Sequence, residues 1–314
     1  MSGPFRVGIL LIDGFALMSY ASVAEPLRAA NLLAGQELYD VRNIAARGAR
    51  AVSSGGAVVE ATAEIGGDGE YDLVLVLAGG DPSSFTGERV FNWLRRLARM
   101  GVALGGVSGG PVVLAKAGLL RGRRMTVHWE HAAALLETVP GLRLERSLYV
   151  IDGKRITCAG GVAPMDLMHA IIETHHGPAF ARQVSDWFLH TDIRPAAGQQ
   201  RAGLVERVGS NDRAILDTVE AMESHVADPL TLAQLARAAA VSPRQLNRAF
   251  REKLGRTTMK YYRDIRLEAA RRLIRNSALP MTEIALATGF ASSSHLSKSY
   301  RQRYGQPPSA LRSG

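Results

Sequence analysis

The sequence holds one cysteine, Cys158. No disulfide framework can form within the chain, and a reducing compartment is the expectation. It has no run of 18 apolar residues, so no membrane span is expected. The amino end carries one early arginine ahead of Val7-Gly-Ile-Leu-Leu-Ile12 and no small-residue cleavage site after a full apolar stretch. It reads as a buried first strand rather than an export signal, and a cytoplasmic protein follows. Aromatic residues are scarce at 6%, yet 46% of all residues are hydrophobic, which excludes disorder as a description of the whole.

Positive charge is present, but only in one part. The chain has 314 residues, and at about 150 residues per domain two domains are expected. Residues 211–314 carry 17 Lys/Arg against 9 Asp/Glu, whereas residues 1–210 carry 21 against 20. A neutral two-thirds joined to a basic third points to a sensing or catalytic module plus a module that binds a polyanion.

The first two-thirds alternates apolar runs with amphipathic stretches. Residues 7–12, 39–45, 71–77 and 102–107 read as strands, and residues 18–34 and 90–99 as helices packed on them. This alternation predicts an α/β fold with a doubly wound, mostly parallel sheet. Ligands of such sheets bind beyond the carboxyl ends of the strands. Those ends are Asp13-Gly14, Ala78-Gly79-Gly80 and Gly106-Val107-Ser108-Gly109-Gly110. The last fits Gly-x-Ser-x-Gly between a strand and a helix at residues 111–117, a nucleophile-elbow pattern. Its glycines permit a strained turn that presents Ser108 beside free helix amides. His128 and Glu130 follow twenty residues on, and a Ser108–His128–Glu130 triad can be drawn. The same pattern arises by chance in a chain with 32 glycines, and a constellation without turnover is the preferred reading.

A hairpin is expected over residues 143–159, turning at Asp152-Gly153, with Cys158 buried and inert in its second strand. Residues 164–176 read as a helix with Met165, Leu167, Met168, Ile171 and Ile172 inward. His169, His175 and His176 lack metal-ligand spacing, so no metal and no other cofactor is expected. A helix at residues 178–189 closes a domain of residues 1–193. Residues 194–210, small and polar, read as a linker to a second domain of residues 211–314.

That second domain contains a diverged repeat. Leu235, Val241, Leu246, Phe250 and Gly255 are matched by Ile284, Phe290, Leu296, Tyr300 and Gly305. Each half reads as a short helix, a tight turn and a second helix ended by glycine. Thr231, Ser242 and Ser292 are placed as N-caps, and Pro243 sits at a first helical position. Arg244, Gln245, Asn247, Arg248 and Arg251 are left outside on one second helix, and Ser293, His295, Lys298, Arg301 and Arg303 on the other. Arg and Gln near the start of such a helix suit base edges in the major groove, while Lys and Arg further along suit phosphates.

At this point the sequence resembles known families. Thr231-Leu-x-x-Leu-Ala-x-x-Ala-x-Val-Ser-x-Arg-x-Leu-x-Arg-x-Phe250, Ile284-Ala-x-x-x-Gly-Phe290 and Gly305-x-x-Pro-Ser309 look like the DNA-binding domain of the AraC/XylS transcription regulators. The resemblance implies two helix-turn-helix units reading successive major-groove segments, with recognition helices at residues 243–253 and 293–304 joined by a helix at 259–274. It also implies duplex DNA and RNA polymerase as partners, an activator, and a homodimer. Glu25-Pro-Leu-Arg-x-Ala-Asn31, Ala78-Gly-Gly80, Gly106-Val-Ser-Gly-Gly110, Ala117-Gly-Leu-Leu-x-Gly-Arg123, Thr126-x-His-Trp129 and Thr157-x-Ala-Gly160 resemble the class I glutamine amidotransferase-like (PfpI-type) domain of the GlxA-like regulators. That implies a flavodoxin-like first domain. Enzymes of this superfamily carry a cysteine at the elbow, paired with a histidine about where His128 falls. Ser108 stands there instead, which weighs against catalysis. It leaves Tyr20, Gly79, Gly80, Ser108, Gly109, His128 and Trp129 as a pocket for a small-molecule effector. Related regulators respond to amino acids or quaternary amines, and Phe15, Tyr20 and Trp129 offer an aromatic face to a cation. Two rival readings are a Ser108-dependent hydrolase or amidase fused to a DNA-binding module, and a constitutive DNA-binding protein whose first domain only dimerises.

Overall fold

In the computed structural model, which describes residues 3–67 and 69–311, the apolar run at the amino end forms β1 (Phe5–Leu11), buried on both faces. It is followed by α1 (Leu17–Ala34), β2 (Tyr39–Ala45), a two-stranded ribbon of β3 (Arg50–Val52) and β4 (Val58–Glu60), β5 (Leu73–Ala78), α2 (Glu88–Arg99), β6 (Ala103–Ser108) and α3 (Gly110–Lys116). Then come β7 (Arg124–Met125), α4 (Trp129–Thr138), β8 (Arg143–Leu144), β9 (Tyr149–Asp152), β10 (Arg155–Cys158), α5 (Ala163–His176) and α6 (Pro178–Trp187). The main sheet has the order β2-β1-β5-β6-β10-β9. All its pairs are parallel except β9 against β10.

Both faces of this sheet are covered at its centre, so β5 is apolar and buried at every position, and β1 is so from Val7 onward, rather than at alternate ones. Ile9, Leu11, Leu75 and Leu77 pack with Val23 and Leu27 of α1, Leu167 and Ile172 of α5, and Val184 of α6. The residues between them, Leu10, Val74 and Val76, face the other way onto Trp93 and Leu94 of α2, Val113 of α3 and Leu135 of α4. This is the doubly wound arrangement read from the sequence.

Several boundaries differ. The expected strand over residues 143–150 is two short strands: β8 pairs in parallel with β7, and β9 pairs with β10. The chain bends between them where the Thr126 hydroxyl donates to the Ser147 carbonyl. The ribbon β3–β4 was not foreseen. The last helix stops at Trp187, because Leu189 turns to φ +57° and the His190 N–H folds back onto the Ser185 carbonyl. Cys158 is buried, and burial pushes its thiol up to about 12, an inert state.

The chain divides into two compact units, Met1–Gln200 and Arg201–Gly314. Within the stretch read as a linker, the Ala196 carbonyl accepts from Leu148 N at 2.9 Å, so this part is held against the first unit. Residues 204–208 are helical. The second unit consists of α7 (Leu204–Val208), α8 (Arg213–Ser224), α9 (Leu232–Ala238), α10 (Pro243–Leu254), α11 (Thr258–Asn276), α12 (Met281–Ala287) and α13 (Ser293–Tyr304). Leu235, Leu246 and Phe250 pack with Ile215, Val219 and Met222 of α8 and Tyr262 of α11. Their repeat partners Ile284, Leu296 and Tyr300 are likewise fully buried.

Candidate functional site

In the first unit the elbow exists as geometry. β5 and β6 run side by side with Ala78 opposite Ser108. Ser108 sits at φ +60°, a conformation that costs a non-glycine residue about 1–2 kcal/mol. The turn requires bare neighbours: a Cβ on Gly110 would stand 1.8 Å from the Val76 carbonyl oxygen, and one on Gly106 2.5 Å from the Pro111 nitrogen.

The chemical equipment of an elbow is committed elsewhere. The N–H after the nucleophile normally faces the developing oxyanion; the Gly109 N–H is instead bonded to the Ala78 carbonyl at 2.9 Å. His128 caps α4, its Nδ1 accepting the Glu130 backbone N–H at 3.3 Å. A neutral imidazole that accepts at Nδ1 carries its proton on Nε2, and that nitrogen cannot then take one from a serine. Burial holds His128 below the usual imidazole range, which favours this neutral ring. Glu130 thus meets His128 through its backbone N–H. His128 and Ser108 are neighbours through a main-chain bond of 3.4 Å, His128 N–H to Ser108 carbonyl. One turn on, His131 is buried with Nδ1 unpaired among the described residues, and burial together with His128 lowers its pKa to about 4.

A cavity of about 200 Å³ opens beyond β10, lined in part by His128, Trp129, Gly160, Gly161, Arg194 and Gln200. Gly160 covers Ser108: a Cβ there would lie 3.0 Å from Ser108 Oγ. Of the pocket residues read from the sequence, His128 and Trp129 line this cavity, and Ser108 lies beneath its wall. Tyr20 does not line it. Its hydroxyl accepts from Asn43 and its ring packs edge-on to Phe15. Gly79 also serves packing, since a Cβ there would meet the Gly14 carbonyl at 2.5 Å. Gly80 and Gly109 likewise do not line the cavity.

Arg194 and Gln200 were missed, and both come from the supposed linker. Asp166, fully buried in the first turn of α5, accepts from His190 Nε2 at 2.9 Å and from Arg194 backbone N, Nε and Nη2 at 2.9, 3.0 and 2.6 Å. Gln200 Nε2 donates to Thr126 Oγ1, the Val127 carbonyl and the Ser147 carbonyl at 3.0, 3.1 and 2.7 Å. A carboxylate inside the apolar run Met165-Asp-Leu-Met168 was the available signal, because a buried charge needs a partner.

In the second unit the caps fall where the sequence placed them. Thr231 with Gln234, and Ser242 with Gln245, form capping boxes, and Ser292 accepts from His295 N. The two turns are equivalent: Ala240 at φ +53° and Gly289 at φ +69° occupy matching positions. On α10, Arg244, Arg248 and Arg251 are exposed, with Arg248 Nε 3.5 Å from Glu252. Gln245 turns its Oε1 back onto Ser242, and Asn247 Oδ1 accepts the Thr258 N–H at 3.1 Å. On α13, Ser293, Lys298 and Arg301 line a groove of about 620 Å³ together with Ser294, Ser297 and Gln302. His295 is exposed beside Phe290.

Residues 235–314 match a helix-turn-helix domain family, and residues 5–174 match the DJ-1/PfpI family. Over 98% of this chain and 95% of the relative, the sequence is 47% identical to the HTH-type transcriptional regulator GlxA of Rhizobium meliloti. It is 41% identical to the HTH-type transcriptional regulator CdhR of Pseudomonas aeruginosa, over 96% of this chain and 89% of that one. The crystal structure of an AraC family transcriptional regulator from Pseudomonas putida superimposes on 59% of this chain and 100% of its own, with a TM-score of 0.54 and 27% identity. The chain belongs to the AraC-type transcriptional regulators that carry an amino-terminal DJ-1/PfpI domain.

In a regulator of this family the helix-turn-helix domain binds DNA, and one arginine read onto its outer face has acidic partners within the domain. Arg303 was assigned to the outer face with Arg301. It remains exposed, but its guanidinium leans onto α11, with Nη1 3.4 Å from Asp264 and Nη2 3.8 Å from Glu268. Two residues along a helix is a rotation of about 200°, so Arg301 and Arg303 cannot share a face. Arg266 of α11 is structural. It donates to the Thr288 and Gly289 carbonyls and covers the Phe290 ring at 4.3 Å.

Proposed function

We propose that this regulator is a metabolite-controlled activator, cytoplasmic and homodimeric, which contacts RNA polymerase and whose amidotransferase-like domain binds an effector without turnover. Ser108 stands where the enzymes of the superfamily hold a cysteine. The observation that carries the reading is the commitment of the elbow: the Gly109 N–H bonded to Ala78, and His128 accepting at Nδ1. What remains is a cavity of about 200 Å³. At about 30 Å³ per water that is the bulk of six or seven waters, suited to an amino acid or a small quaternary amine. Ligand selectivity belongs to the residues that line it, and DNA contact to Arg244, Arg248, Arg251, Ser293, Lys298 and Arg301.

Thermal unfolding of the full chain against amino acids, betaines and polyamines tests the effector, because a ligand that binds only the folded state raises its stability. One class is expected to raise the midpoint, with no esterase or amidase turnover that Ser108→Ala abolishes. Turnover dependent on Ser108 overturns the reading in favour of a hydrolase. Ligand-independent DNA affinity with no stabilising compound overturns it in favour of a constitutive binder.

A further inference from the structure

Two arginines, one from the end of each recognition helix, meet a single carboxylate. Arg256 follows Gly255, which ends α10, and Arg303 lies in the last turn of α13. Asp264, a buried residue of α11, holds both on the same oxygen: Oδ2 is 2.8 Å from Arg256 Nη1 and 3.4 Å from Arg303 Nη1. Further polar ties of α11 each reach one recognition helix. Thr258 N–H donates to Asn247 of α10, and Glu268 accepts from Tyr304 of α13 and pairs with Arg303.

We propose that Asp264 is a positioning residue for DNA recognition, fixing the angle between the two recognition helices and so the base-pair spacing the protein accepts. Asp264 is nearly enclosed while the Arg256 and Arg303 side chains are 42% and 31% exposed, so the pairs add little net stability, and the best-attested use of such a paired charge is to specify register. Here one carboxylate receives a guanidinium from each helix-turn-helix unit, so neither helix can swing without breaking a bond shared with the other. An uncharged amide at 264 still accepts hydrogen bonds on its oxygen but lacks the charge that holds two guanidinium groups together. One added base pair moves the second groove segment by about 3.4 Å along the axis and turns it by about 35°. Clamped helices cannot follow that change, whereas released helices can.

The test uses the full-length protein and a duplex that it selects from a randomised pool. Derivatives of the duplex gain or lose one base pair between its two contacted segments. Wild type is expected to lose about 30-fold in affinity on either derivative, the cost of a badly matched site. Asp264→Asn is expected to bind the parent duplex about 10-fold more weakly, with its spacing penalty reduced to about 3-fold. Asp264→Glu is expected to restore most of the penalty. Arg303→Gln breaks only one limb of the clamp and serves if Asp264→Asn does not fold; its spacing penalty must also shrink. The proposal is overturned if these variants weaken parent and derivative alike, leaving the wild-type ratio intact. It is equally overturned if wild type tolerates the inserted base pair.

Discussion

Replacing Asp166 by Asn tests whether residues 190–200 are held to the first unit by one buried charge. Asp166 has no solvent exposure and accepts four hydrogen bonds, three of them from Arg194. Asparagine keeps the shape but turns one acceptor oxygen into an NH₂ group that faces donors of Arg194 or His190. Removing one partner of a buried pair costs about 3–5 kcal/mol, and the lower end applies because the Arg194 side chain is 34% exposed. For a unit of this size 1 kcal/mol moves the melting midpoint by about 2–4 °C, so a fall of about 6–12 °C is expected. The chain has three tryptophans, Trp93, Trp129 and Trp187, all within Met1–Gln200, so their fluorescence follows this unit alone. Asp40→Asn is the control. Its pair with Arg42 is partly exposed, and such pairs are worth about 0–1 kcal/mol. A shift for Asp166→Asn no larger than that of the control refutes the reasoning.

His131 titrates near 4 in the folded chain against about 6.5 unfolded. The unfolded state therefore binds the proton first, and stability present above pH 6.5 declines as pH falls toward 4, by up to about 3 kcal/mol. Urea midpoints read by tryptophan fluorescence should show this decline, and His131→Gln should flatten it; an unchanged slope refutes the assignment. Ala240→Gly should stabilise the second unit by about 0.5–1 kcal/mol, because the left-handed backbone costs alanine more than glycine loses in chain entropy. Gly289→Ala should destabilise it, since its Cβ would stand 2.5 Å from Pro229 Cγ; circular-dichroism melts check both signs. Arg301→Gln should lower the salt slope of DNA binding by about 0.9, one phosphate contact, while Arg303→Gln leaves it unchanged. Equal slopes for the two variants remove Arg301 from the interface.

What was legible in the sequence was what the chain encodes locally. The caps at Thr231, Ser242 and Ser292 bond to residues three positions on, so composition and spacing suffice to find them. The elbow at Ser108 was legible because only glycine fits at 106 and 110, where side chains would strike main-chain atoms. Apolar runs revealed the sheet because both of its faces are covered. What was not legible was the choice among distant partners. The polarity of residues 194–200 suggested a free linker, yet their charge and amide groups are bonded to Asp166, Thr126 and Ser147, between 28 and 74 positions away. Arg303 carries the same charge as Arg301, and only the helical angle between them separates a side chain facing the groove from one clamped to Asp264. The buried acids were the missed guide. Asp166 lies among apolar neighbours in the sequence and Asp264 on the packed side of α11, where an unpaired carboxylate is too costly to keep. Each therefore required a cation from elsewhere, and in this chain those cations are arginines that composition alone assigned to a linker and to DNA.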